Sequence, residues 1–164
     1  MSAHAGTHTR ASDQGPIAEV CADDVLAALR LARTGRVYDL EVERFRGMPL
    51  HPAHPQMAGL YRDTERMAEH AGPGIDSSAA RWLVDKGVVC AVGDTETLEQ
   101  IPCADPNNPH AVHTILLAES GVHIAEMANM EELSADQVYE FAFIALPCRI
   151  RGATGSMIRP IAIV

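Results

Sequence analysis

The stretch DSSAARWLVDKGVVCAV (residues 76–92) reads as a capped helix running into a buried strand. Asp76, Ser77 or Ser78 can accept a hydrogen bond from the first free amides of a helix. Ala79, Ala80, Trp82, Leu83 and Val84 give that helix its apolar content, and Gly87 stops it. Val88 to Val92 is a short, continuous apolar run, the mark of a strand covered on both faces. The same order returns further along in VHTILLAESGVHIAE (112–126). There Val112, Ile115, Leu116 and Leu117 predict a helix, Gly121 ends it, and Val122 to Ala125 forms the next strand. Strands alternating with helices predict an α/β domain with parallel pairing.

Outward from this unit the signals are weaker. Residues 1–19 are polar and rich in His, Thr and Ser, and predict a flexible arm. A helix follows over Val25, Leu26, Leu29 and Leu31, capped by Asp23 or Asp24 and closed by Gly35. Val37 to Leu40 predicts a short strand. Gly47 to Pro55 holds three prolines and two histidines, which demands an extended loop. Ser134 to Asp136 predicts a turn or short helix, Phe141 to Leu146 a long apolar strand, and Ile161 to Val164 a last strand. The chain is therefore read as one domain over 20–164 behind the arm 1–19.

Composition narrows the function. The chain has 164 residues, 22 acidic against 13 basic, and a formal charge of -9. That balance disfavours nucleic-acid backbones and anionic lipid surfaces, and is compatible with cation binding. No apolar run approaches the ~20 residues that span a bilayer, and the N-terminus has no signal-like segment. A cytoplasmic location is the expectation. Cys21, Cys90, Cys103 and Cys148 are far apart and form no Cys-x-x-Cys, so reduced thiols are expected and a zinc knuckle is not.

Several groups could carry chemistry. His51 and His54 stand three apart in the proline-rich loop, either as metal or substrate contacts or simply bonded to backbone. His113 lies early in its helix, and Glu126 at the end of the strand that follows, where α/β sheets place ligands. A histidine and a carboxylate brought together can bind a divalent metal or relay protons; a plain surface or core role is the alternative. His4 and His8 form a His-x-x-x-His in the arm. Asp94-Thr95 follows a strand and either orients a loop or caps a helix. Arg149, Arg151 and Arg159 near the last strands either hold an anion or keep an edge soluble.

Taken together, four stretches resemble one family. LARTGRVYDLEVERFRGMPLHPAHP (31–55) is similar to the opening of the bacterial cyclase family, which includes kynurenine formamidase and isatin hydrolase. GIDSSAARWLVDKGVVCAVGDTETLE (74–99), VHTILLAESGVHIAEMANMEEL (112–133) and FAFIALPCRIRGATGSMIRPIAIV (141–164) resemble later segments. The resemblance implies a swivelling β/β/α fold of the α/β or α+β class. It implies a zinc- or manganese-dependent hydrolase that opens amides such as N-formylkynurenine or cyclic amides, and a homo-oligomer. His113 matches a site histidine of the family, and Glu126 its glutamate at the metal.

One departure is large. The family motif His-x-Gly-Thr-His-x-Asp belongs between GMPLHPAHP and the helix at 76, where this chain has only QMAGLYRDTERMAEHAG (56–72). The chain thus reads as an incomplete cyclase fold with an internal loss near 56–72. HAGTH (4–8) echoes the motif, but Arg10 and Gln14 occupy the next two ligand positions, and an arginine there repels a cation. Two readings follow: a hydrolase whose site is completed by other groups or by a second copy, and a non-catalytic interaction subunit.

Overall fold

Asp76 does cap the helix. Its Oδ1 accepts from the Ala79 amide at 2.9 Å and from the Ser78 hydroxyl at 2.7 Å. In the computed structural model, which describes residues 8–12, 15–43 and 71–164, the elements run as follows. They are β1 (His8–Ser12), β2 (Gly15–Glu19), α1 (Ala22–Leu29), β3 (Val37–Asp39), α2 (Ser77–Asp85), β4 (Cys90–Val92), α3 (Ala111–His113), β5 (His123–Ala125), α4 (Glu131–Ala135), β6 (Ala142–Ile144) and β7 (Ile161–Ile163). The helical path of α3 continues as a wider π-helical stretch, Thr114–Glu119.

Two sheets organise the site. β4 and β5 pair in parallel, with Cys90 opposite His123 and Val92 opposite Ala125. Parallel strands need a long crossover, and here α3 and its π-helical continuation supply part of it. Ala80, Ala91, Leu98, Val112, Ile115, Leu116 and Val122 pack as one core, with Leu83 and Val84 of α2 against it. Gly87 ends α2 in the left-handed region at φ 73°, and Gly121 ends the crossover helix at φ 67°. Both are positions that glycine occupies without a Cβ clash.

The second sheet is antiparallel in the order β3-β7-β6. Tyr38, Leu40, Leu133 and Ala162 form its core. The two sheets meet beside Glu126: Glu41 bridges Ala128, and the Asn129 amide donates to the Leu40 carbonyl at 2.8 Å. The mixed α/β class expected from the sequence is therefore present.

The differences are local. Residues 8–19, read as a flexible arm, contain the antiparallel hairpin β1–β2, with His8 opposite Glu19 and Ser12 opposite Gly15. Asp24 rather than Asp23 serves the start of α1, its carboxylate accepting the Cys21 amide at 3.2 Å. The long strand expected over 141–146 shortens to β6, and Leu146 is 81% exposed. Asp94-Thr95 caps no helix, because residues 94–98 run as a series of bends. Arg159 pairs with Asp39 and Glu41, which gives it a local structural role. The proposed internal loss falls mostly on residues outside those described.

Candidate functional site

His113 sits between two carboxylates. Its Nδ1 lies 2.9 Å from Oε2 of Glu99, and its Nε2 lies 3.3 Å from Oε1 of Glu126. Each partner comes from a different element. Glu99 follows the bends after β4, His113 closes α3, and Glu126 is the first residue past β5. The parallel pairing of β4 with β5 brings the carboxyl ends of both strands to one edge, and α3 crosses there.

Glu99 is buried at 2% exposure, and both of its oxygens are engaged. Oε1 accepts the Val112 amide at 2.8 Å while Oε2 faces His113. A buried carboxylate is costly unless hydrogen-bonded, and these contacts offset that cost. Glu126 and His113 are half-buried, so this end of the group meets solvent. The backbone around both acids is constrained. Leu98, before Glu99, has φ 53°, and Met127, after Glu126, has φ 57°. Non-glycine residues in that region are uncommon and concentrate where structure is held for a purpose. The turn after Glu126 is pinned by the Met127 amide on the Thr95 carbonyl at 3.0 Å and the Ala128 amide on the Gly93 carbonyl at 2.9 Å.

The electrostatics ask for a positive charge. A neutral imidazole has one N–H and can donate to one carboxylate only. The other nitrogen then turns a lone pair toward a carboxylate. A second proton resolves this, and so does a metal ion between Nε2 and Glu126. The hydrogen bond to Glu126 does most to raise the His113 pKa above its ordinary 6.5; partial burial opposes it, and Glu99 adds to the rise. The separation also suits a metal. Two ligand bonds of ~2.1 Å meeting near the tetrahedral angle set their atoms roughly 3.4 Å apart, close to the 3.3 Å seen here.

His110 is the nearest further donor. Its ring lies edge-on to His113, with centroids 6.1 Å apart. Glu99, His110 and His113 each place a ligand atom within 4.8 Å of the others. Glu99 already holds the Val112 amide and the His113 ring, so its ligation to a cation would release one of them, while Glu126 offers a further carboxylate 3.3 Å from His113 Nε2. Two imidazoles and a carboxylate suit zinc or manganese.

Of the residues singled out in the sequence, His113 and Glu126 are brought together. His8 lies on β1 and its side chain is outside the described set; His4, His51 and His54 are outside it altogether. Glu99 and His110 were not anticipated. Neither lies on a periodic pattern, and the only signal was an acid beside apolar Leu98 at the end of an otherwise polar loop.

The metal-free site carries a pH signature. A raised folded pKa means that protonated His113 stabilises the fold fully below the unfolded value of about 6.5, and that this stability is lost as pH rises through the folded value. Denaturant titrations in chelator should show wild type most favoured over His113→Asn at pH 5.5–6, with the advantage shrinking towards alkaline pH. An advantage that grows with pH would contradict the assignment.

No family model matches the chain, and no curated protein matches it. Among solved structures it is similar to a crystal structure described as that of a novel cyclase. The TM-score is 0.66 at 15% identity, covering 88% of this chain and 94% of the other. Agreement over most of both chains shows that this chain shares the fold of that cyclase structure.

Proposed function

We propose that the chain is a metal-dependent amide hydrolase of the cyclase type, acting on a formamide such as N-formylkynurenine or on a cyclic amide. The observation that carries this reading is the Glu99–His113–Glu126 chain, whose two carboxylates on one imidazole call for a cation at the solvent end. His113 Nε2 and Glu126 would hold zinc or manganese, with His110 in reach. Bound there, such an ion supplies Lewis acidity at a carbonyl and a water of lowered pKa. The carboxylate of Glu126 contributes negative charge and a proton acceptor beside that water. His113, buttressed from behind, keeps its Nε2 fixed.

This reading carries with it a cytoplasmic homo-oligomer, with a small-molecule amide as substrate and no nucleic-acid or membrane partner. The acidic balance of the chain supports the latter, and no helix among the described residues is long and apolar enough to cross a membrane. A second copy could supply ligands that the missing His-x-Gly-Thr-His-x-Asp motif would have given.

A second reading, a non-catalytic interaction subunit, draws on the exposed apolar side chains. Val25, Leu26 and Leu29 of α1 are each about half exposed, and Trp82 of α2 is 58% exposed. Exposed apolar groups that cluster favour association.

Turnover separates the two. Wild-type protein loaded with zinc or manganese should hydrolyse N-formylkynurenine or a cyclic amide, and Glu126→Ala should lose that activity while keeping its circular dichroism spectrum. Folded wild type that binds metal yet turns over none of these amides would favour the interaction subunit.

A further inference from the structure

We infer that Glu99 is a positioning residue: it holds His113 in the tautomer that carries its proton on Nδ1, and so turns the Nε2 lone pair toward Glu126. This deepens the hydrolase reading and rests on it only for the use made of that lone pair. The placement of Glu99 itself stands on three separate observations.

The first is its hydrogen bonding. A carboxylate accepts and never donates. Oε1 is fixed by the Val112 amide at 2.8 Å, which sets the plane of the group against the start of α3. Oε2 then stands 2.9 Å from Nδ1 of the next residue, closer than the 3.3 Å from Nε2 to Glu126, and the buried Glu99 has no water to turn to, so a neutral ring gives its one N–H to Glu99. One carboxylate thus fixes a helix backbone and the ring that follows in the chain.

The second is the backbone that delivers Glu99. Ile75 bridges Glu99 in parallel and Gly72 bridges Ile101, so the 72–75 segment lies against 99–101. A Cβ at Gly74 would fall inside contact distance of the Glu99 carbonyl group and 2.5 Å from the Gln100 nitrogen. Glycine alone permits this approach. The third is the left-handed Leu98, at φ 53°, which aims the chain inward just before Glu99. A merely solvated acid would need neither a close-packed glycine nor a strained neighbour. Outer carboxylates of this kind set the tautomer and basicity of ligand histidines.

Histidine nitrogen NMR shifts read the tautomer directly. In metal-free wild type, at a pH raised until the nitrogen shifts themselves show a neutral ring, Nδ1 of His113 should be pyrrole-like and Nε2 pyridine-like. In Glu99→Gln the side chain keeps its size. Its carbonyl oxygen still accepts the Val112 amide, so its NH2 faces Nδ1, and the tautomer should invert. The same variant should lower the kcat of any wild-type turnover by roughly 10–100-fold with KM little changed. An Nε2–H tautomer in wild type overturns the inference, even if the variant does not fold. So does a folded Glu99→Gln with an unchanged tautomer. Absence of turnover in wild type bears on the hydrolase reading alone and leaves the tautomer result standing.

Discussion

Gly74→Ala should destabilise the protein by roughly 2–3 kcal/mol, because the added methyl has no room and forces apart two backbones. The atoms it would meet are main-chain atoms of Glu99 and Gln100, which cannot rotate away as a side chain would. The Ile75 amide donates to Leu98 and the Gln100 amide to Ile75, at 2.8 and 3.1 Å, so the two segments are stitched on either side of the clash. Movement that relieves it carries Glu99 off Val112 and His113. Stability and site should therefore fail together, with the melting temperature falling by roughly 4–10 °C for a domain of this size and zinc affinity by about 10–100-fold. Gly72→Ala is the internal control. A Cβ there meets only the Ile101 Cβ at 3.9 Å, an ordinary contact, so a change within about 0.5 kcal/mol is expected. Equal effects at the two glycines would show that the close approach at Gly74 does not hold Glu99.

Glu126→Gln should leave the fold intact and cost about 100-fold or more in zinc affinity, at or above the top of the range for outer-shell changes. The substitution keeps the length of the side chain and removes the charge. The backbone after it is held by the amides of Met127 and Ala128, and the backbone before it by the Ala125 carbonyl on the Gly93 amide, none of which the change touches. The new amide can donate to His113 Nε2, replacing a cation-seeking pair by a neutral hydrogen bond. Isothermal titration with zinc measures the loss, and unchanged affinity would remove Glu126 from the site.

The sequence showed some of this plainly and some not at all. α2 was legible because Asp76 and Gly87 mark its ends by local chemistry. The crossover was legible through Gly121 and the apolar run before it. Its passage into π-helical geometry after His113 was not, since the same apolar positions serve either helix. The β1–β2 hairpin was hidden by polar sequence with little strand character. His113 and Glu126 could be named by resemblance, and the parallel pair β4–β5 explains why residues thirteen apart meet. Glu99 was invisible because burial of an acid is decided by tertiary partners, the Val112 amide and the His113 ring, and not by its neighbours in the chain. The role of Gly74, letting the segment that carries Glu99 come close, exists only once the fold has formed.

The account stands most directly on whether the His113–Glu126 end of this chain takes a metal ion. Metal analysis of purified protein, before and after incubation with zinc or manganese and gel filtration, should find close to one equivalent per chain in wild type and little in His113→Asn. Less than about a tenth of an equivalent in folded wild type, with no uptake as pH is raised to reduce proton competition, would contradict it.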